Sequence, residues 1–549
     1  MSADVHHGLT RRQLIGAGAG AGATLLAGSS LARALTGGDS IADRRLRSQV
    51  EHVVVLTQEN RSFDTYFGTL RGVFGFQDPN AVTLPSGKSV FYQPARDPVG
   101  YELPFHMDTT KTSSACVADL SHSWVALHSA RHNGLMDNWV PAMIAADDPK
   151  TGPLTMGYYT RDDIPWHYAL ADAFTICDGY YCSVMGPTNP NRIYLMSGTI
   201  DPAGLGGGPV VDNSETPPYR WTTYPERLEA AGISWQVYQQ FNNYDDNALA
   251  WFQRFQQAGK SSSLFKRGMA FQNSLIDRFA EDVTRRRLPQ VSWIVGPDYT
   301  TEHPSYLPAQ GAQFMSDIIS VLRDNPDVWR KTVLLINYDE NDGYFDHVPP
   351  PTAPPGTPGE YLNPVPPAAH GISGPIGLGF RVPLIAVSPW STGGYACGDT
   401  FDHTSCIRFM ERVFGVKEPN ITHWRRTTCG DLVSLFDFSR PPADFPDLPS
   451  PDALPTPANP ANVNAEEAEC FVQPGGSGLP SPAPPDANRQ TVPTQEPGTR
   501  PRRGSSEAAL ARAALLRRAS TRELGRSAAG RAGGAIHRSS RSVRWRVPK

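Results

Sequence analysis

Short runs of aliphatic and β-branched residues, each closed abruptly by polar ones, recur along this chain. Two are especially clear. In "VEHVVVLTQENRSFDTYFG", which starts at Val50, Val53 to Leu56 are continuously apolar and then give way to Glu59-Asn60. In "KTVLLINYDENDGYFDH", which starts at Lys331, Val333 to Ile336 run into Asp339-Glu340. A strand apolar on successive residues needs cover on both faces, the situation of a parallel sheet between helices. Six such strands are predicted, at 52–57, 173–177, 234–238, 291–295, 332–337 and 382–388. Several are separated by segments long enough for crossover helices, which parallel pairing requires. The predicted fold class is therefore α/β, with a central, mostly parallel sheet flanked by helices on both faces. The clearest helix is "HTSCIRFMERVFGV", where Ile407, Met410, Val413 and Phe414 share helical spacing and Gly415 stands where a helix would stop.

The pattern changes at both ends. "TRRQLIGAGAGAGATLLAGSSLARA" combines Arg11-Arg12 with a weakly apolar Gly/Ala-rich stretch, and Ala32-Arg33-Ala34 offers a small-x-small cleavage site. We read 1–34 as a twin-arginine signal peptide, so the expected partner is the twin-arginine export machinery and the expected location is secreted or cell-wall associated. A membrane anchor is the competing reading, but the glycines and the length count against it. The catalytic domain is expected over 50–440, a proline-rich C-terminal segment over 441–501, and a basic tail of low-complexity composition, expected to be disordered, over 502–549. From Arg502 onward twelve arginines and one lysine face two glutamates, leaving +11 there and −15 on the remainder of a chain whose net charge is −4. An acidic body argues against nucleic acid as a partner. The seven cysteines show no zinc-type C-x-x-C spacing; Cys177 and Cys182 are a candidate bridge, with connectivity open.

Strand ends at the carboxyl edge of such a sheet are where ligands gather. Glu59, Asn60, Asp339 and Glu340 would present four oxygen-bearing side chains from two strand ends, the donor chemistry of a hard divalent cation such as calcium, with the identity of the metal open. In "YYCSVMGPTNPNRIYLMSG", Pro190 suits the first turn of a helix. That puts Thr188 near a helix N-terminus, where amide dipoles favour an anionic phosphate. Thr188 is the candidate nucleophile, able to gain reactivity by joining the metal ligands, and a plain capping residue is the bland alternative. Arg192 would steady the loop or the phosphate. His122, His303, His347 and His403 all lie in polar, turn-rich segments, with Asp346 and Asp402 preceding the last two, and fit a site that binds phosphate and protonates a leaving alkoxide.

The motifs "QENRSFDTYFGTL", "CSVMGPTNPNRIY", "TEHPSY", "NYDENDGYFDHVPPP", "GPIGLGFRVPLIAVSPW" and "DTFDHTS" together resemble the bacterial phosphoesterase family of non-zinc phospholipases C, in family order from about residue 50 to 438. The resemblance implies an alkaline-phosphatase-like α/β core and phosphoester hydrolysis through a covalent intermediate. It places Glu59, Asn60, Asp339 and Glu340 at the family's metal positions and Thr188 at the nucleophile position. His122, His303 and His347 fall in segments that surround phosphate in related phosphatases, with His303 as the leaving-group acid; Asn60, Arg192 and His403 are the expected phosphate contacts. "VPTQEPGTRPRRG" begins like the family's late segment, and the Arg/Ala/Ser-rich run after it does not match. The implied activity is that of a secreted phospholipase C cleaving phosphatidylcholine-like lipids at a membrane surface to diacylglycerol and phosphocholine. The alternatives are an acid phosphatase acting on monoesters and, in a different class, a non-catalytic surface-binding protein.

Overall fold

The computed structural model describes residues 41–95, 100–214, 218–451, 479–486 and 489–504. In it all six apolar runs become strands: β1 (His52–Gln58), β2 (Thr175–Cys177), β3 (Trp235–Gln239), β4 (Val291–Val295), β5 (Thr332–Tyr338) and β6 (Leu384–Val387). Two short strands, β7 (Ala396–Cys397) and β8 (Arg502–Arg503), complete the sheet. Across it the order is β8, β7, β2, β6, β5, β1, β4, β3. All pairings are parallel except those of β6, which runs antiparallel to both β2 and β5. Between β5 and β6 the chain has only loops and a single 3-10 turn, so it returns without a crossover helix and the direction reverses. Every residue of β4, β5 and β6 is buried, so both faces of the sheet centre are covered.

Three helices bear on the site. α1 (Phe63–Phe67) follows β1 directly and is capped by the Ser62 side chain, which accepts from the Thr65 amide. α2 (Thr188–Ser197) begins at the candidate nucleophile and ends on Gly198 at φ 71°, a left-handed position suited to glycine. α3 (His403–Phe414) is the helix anticipated from its spacing, with Asp402 as N-cap and Gly415 at φ 77° as its stop.

The expected signal peptide and most of the basic tail lie outside the described residues. The expected end of the folded part at 440 differs from the structure, where 489–504 returns to the body. The Glu496 amide donates to Thr69 O at 2.8 Å, Arg161 holds the Glu496 carboxylate at 2.6 Å, and Arg502, the first residue of β8 at the sheet edge, pairs with Asp178 at 2.9 Å. These charged residues find partners that composition alone does not reveal. The candidate Cys177–Cys182 bridge does not form either. Both are free and buried, and Cys177 instead faces Cys397 across β2 and β7. Among the described residues no helix is long and apolar enough to cross a membrane.

Candidate active site

β1 and β5 are paired in register from His52 opposite Thr332 to Gln58 opposite Tyr338. The residues that follow therefore emerge side by side at the carboxyl edge of the sheet: Glu59 and Asn60 from one strand, Asp339 and Glu340 from the other. The chain turns sharply here, with Asn60 at φ 57°, a conformation asparagine tolerates better than most residues. Asp339 stitches the two ends together, since its Oδ1 accepts from the Asn60 amide at 3.2 Å and from the Glu340 amide at 2.8 Å.

Arg192 enters this cluster from α2. It lies four residues after Thr188, so both occupy one face of the helix. Its Nε donates to Asp339 Oδ2 at 3.0 Å, and its Nη2 lies 3.2 Å from Glu59 Oε1 and 3.1 Å from Asp246 Oδ2. All four side chains are buried. Burial and the neighbouring Asp246 push the Glu59 carboxyl well above the usual range, and burial lifts Asp246 to about 6. Asp246 was missed by reading the sequence. It follows β3, the strand two places along, and the rule applied to β1 and β5 would have found it had the intervening loop been shorter.

The second half of the site grows from Glu340. One of its carboxylate oxygens accepts from the Asp342 amide, and the other lies 3.7 Å from His122 Nε2. His122 Nδ1 is 2.8 Å from Leu120 O and 3.0 Å from Asp342 Oδ1. Asp119, exposed at the mouth, lies 3.5 Å from His122 Nδ1 and 3.8 Å from His303 Nε2, so one carboxylate links the two histidines. Their charges diverge. Burial opposes the His122 imidazolium, but Glu340, Asp342 and Asp119 outweigh it and hold its pKa well above 6.5. His303 lies deeper, and burial lowers it to about 4 despite Asp119.

Several buried polar atoms here have no hydrogen-bond partner: Glu59 Oε2, Asn60 Oδ1 and Nδ2, Glu340 Oε1 and Asp342 Oδ2. Buried polar atoms are nearly always paired, and leaving one unpaired costs about 1–3 kcal/mol. A concentration of unpaired carboxylate and amide oxygens is what a hard cation would satisfy, so the donor set fits a divalent ion. The distribution differs in detail from expectation. Asp339 already has both oxygens engaged, whereas Asp119, His122 and Asp342 each bring a ligand atom within 4.8 Å of the others. Asp119 and Asp342 were not singled out from the sequence.

Two of the histidines stand apart. His347 Nδ1 lies 2.6 Å from Asp64 Oδ2, inside a buried network with Arg381 and Asp346. His403, at the start of α3, sets Nε2 2.7 Å from the backbone carbonyl of Asp339 and Nδ1 2.8 Å from the Tyr180 hydroxyl. With both nitrogens committed it positions Asp339, and the expected phosphate contact has no free nitrogen to make it. Arg192 likewise is taken up by three carboxylates and acts as the cluster's internal counter-ion. Thr188 sits at the first position of α2, 8% exposed.

A model of the phosphoesterase family matches residues 50–417 of this chain. Over 475 residues the chain is 45% identical to phospholipase C B of Mycobacterium tuberculosis, covering 82% of this chain and 90% of that relative. Over 489 residues it is 42% identical to a non-hemolytic phospholipase C of Burkholderia pseudomallei, covering 82% of this chain and 65% of the relative's length. Among solved structures, a protein of the alkaline phosphatase superfamily from Vibrio parahaemolyticus aligns at 9% identity and a TM-score of 0.30, over 71% of this chain and 77% of that one.

Proposed function

The chain belongs to the phosphoesterase family, and from that premise we propose that it is an exported phospholipase C that hydrolyses phosphatidylcholine-like lipids to diacylglycerol and phosphocholine. The reading rests chiefly on one observation: unpaired buried oxygens from Glu59, Asn60, Glu340 and Asp342 collect at the carboxyl edge of the sheet. Arg192 ties the same cluster to the helix that begins with Thr188.

Thr188 Oγ1 gives its proton to the His122–His303 pair, attacks phosphorus and becomes esterified while the diacylglycerol oxygen departs; water then cleaves the phosphothreonine, Thr188 Oγ1 takes a proton back from the same pair, and phosphocholine is released. The positive end of the α2 dipole favours phosphate charge next to Thr188, although of the first-turn amides the Asn189 N–H is held by Asn213 Oδ1 at 2.9 Å and Pro190 has none. His122 and His303, linked through Asp119, are the pair from which the leaving oxygen takes its proton and to which the attacking water gives one. Glu59, Asn60, Asp339 and Glu340 would hold a divalent cation, with Asp342 and Asp119 beside them. Such an ion, when bound, offsets phosphoryl charge and lowers the pKa of a neighbouring hydroxyl. Arg192 keeps Glu59, Asp246 and Asp339 from repelling one another, and His403 fixes the Asp339 backbone.

The test is product analysis on phosphatidylcholine beside a simple phosphomonoester. Diacylglycerol and phosphocholine from the first substrate support the reading. Phosphate from the monoester with no lipid cleavage would make the protein a phosphatase, and no hydrolysis of either would favour a non-catalytic surface-binding protein.

A further inference from the structure

We propose that Phe241 and Phe271, with Tyr244, form an aromatic rim that seats the protein on a zwitterionic phospholipid surface beside the catalytic cluster. Phe241 is 80% exposed, Phe271 55% and Tyr244 46%, although each carries a large apolar ring. The two phenylalanines meet edge to face with ring centres 5.9 Å apart. Singly exposed apolar residues are ordinary, but a paired aromatic cluster beside a reactive site points to a partner.

The rim is built to stay outward. Its two loops are joined by a bridge between Gln240 and Gln272, and the Gln239 amide donates to the Gln272 side chain at 2.6 Å. The first loop carries three non-glycine residues in the left-handed region: Asn242 at φ 56°, Tyr244 at 55° and Asp245 at 58°. That conformation is uncommon for a tyrosine and persists only where surrounding contacts hold it. Here Asn242 Nδ2 donates to Asp298 Oδ1 at 2.7 Å, anchoring the loop to the segment that leads to His303. The Tyr244 ring lies 5.4 Å from the ring of His303, so the rim continues directly into the site.

The surrounding charges identify the surface. Lys266 is exposed and Arg267 pairs with Glu229, whereas Asp245 is exposed and Asp298 is held by Asn242. Among the described residues beside the rim, where the exposed Asp119 and the half-buried Asp298 also act on Tyr244, no excess of positive charge is present to seek an anionic membrane. A balanced rim of aromatic side chains instead suits a zwitterionic headgroup layer, where such rings settle at the boundary between polar and apolar regions. This rests on the phospholipase reading for its purpose, though not for its test.

The experiment compares full-length wild type with a Phe241→Ser/Phe271→Ser double variant for partition onto phosphatidylcholine vesicles, and for turnover of water-soluble p-nitrophenyl phosphorylcholine. Removing two rings that enter the interface should weaken partition about tenfold or more. Raising the salt should change partition little, and soluble turnover should stay the same. Partition is also measured in Thr188→Ala, so that failure of the catalytic reading and failure of the rim are seen separately. Equal partition of the double variant and wild type would overturn the proposal. So would binding confined to anionic vesicles and abolished by salt, or self-association of the wild type that the double variant lacks.

Discussion

Replacing Arg192 by methionine tests whether the buried oxygen cluster is a cation site or merely a structural one. The side chain is 4% exposed, and its partners Glu59, Asp246 and Asp339 are 1%, 3% and 1% exposed. Methionine keeps much of the apolar stem and deletes the charge. Glu59 and Asp246 already resist ionisation together, so the guanidinium chiefly balances Asp339 and the one charge the other two can share. Removing one partner from a buried, hydrogen-bonded ion group costs about 3–5 kcal/mol, because the remaining charge is stranded. Urea unfolding of metal-free protein at neutral pH should therefore show Arg192→Met less stable by about that amount. Divalent cation added at about 100 times its dissociation constant stabilises a folded state by about 2.7 kcal/mol. The gain should be larger in Arg192→Met than in wild type, since an external cation now takes over the deleted charge. A variant within about 1 kcal/mol of wild type when metal-free would refute the electrostatic account. A deficit that calcium and other divalent ions leave untouched would refute the assignment of Glu59 and Asp339 as cation ligands.

Thr188→Ala should lower turnover by roughly three or more orders of magnitude with unchanged circular dichroism and urea midpoint, and near-normal turnover would remove threonine from the chemistry. Asp339→Asn and Glu59→Gln should each weaken divalent-cation binding measured by calorimetry; binding equal to wild type in both would put the ion elsewhere. The His347 network has a pH signature. Burial works against the imidazolium, but Asp64 and Asp78 raise its pKa from 6.5 to about 9. A histidine raised on folding adds stability that is complete below pH 6.5 and lost as pH rises through about 9. The stability gap between wild type and His347→Gln should therefore narrow over that window in pH-dependent thermal unfolding, and a constant gap would show that the pair carries no linked proton.

The sheet was legible because its central strands are uniformly apolar: the expected 291–295 coincides with Val291–Val295, and 332–337 falls one residue short of Thr332–Tyr338. β7 and β8 were not, because two-residue strands have no period to read. The outline of the site was equally visible, since Glu59-Asn60 and Asp339-Glu340 interrupt apolar runs, and parallel pairing sets those interruptions side by side. What remained hidden was who pairs with whom. His403 and His347 looked alike in polar segments, yet one holds the Asp339 carbonyl and the other an aspartate in α1. Asp119 reaches His122 three residues away and His303 far along the chain, a link no local pattern announces.

Those hidden pairings have a common form. Arg381 binds Asp64 and Asp346 and donates to the carbonyls of Phe74 and Asp178; Arg425 binds Asp402, Glu360 and the Ser183 carbonyl. Both are fully buried, and each ties together loops that leave different strands. A buried ion group is seldom worth more net stability than well-packed apolar residues would be, but it tolerates few alternative arrangements, because any other leaves a charge stranded. In a site assembled from long loops, that intolerance is useful. Asp402 shows how: the same carboxylate caps α3 and receives Arg425, so the helix start that aims His403 at Asp339 is set by a contact with another segment entirely. The loops at the carboxyl edge are thus held by pairing rather than by hydrophobic packing alone, and Glu59 Oε2, Asn60 Oδ1 and Glu340 Oε1 stay clear of protein donors because their neighbours are not free to collapse onto them.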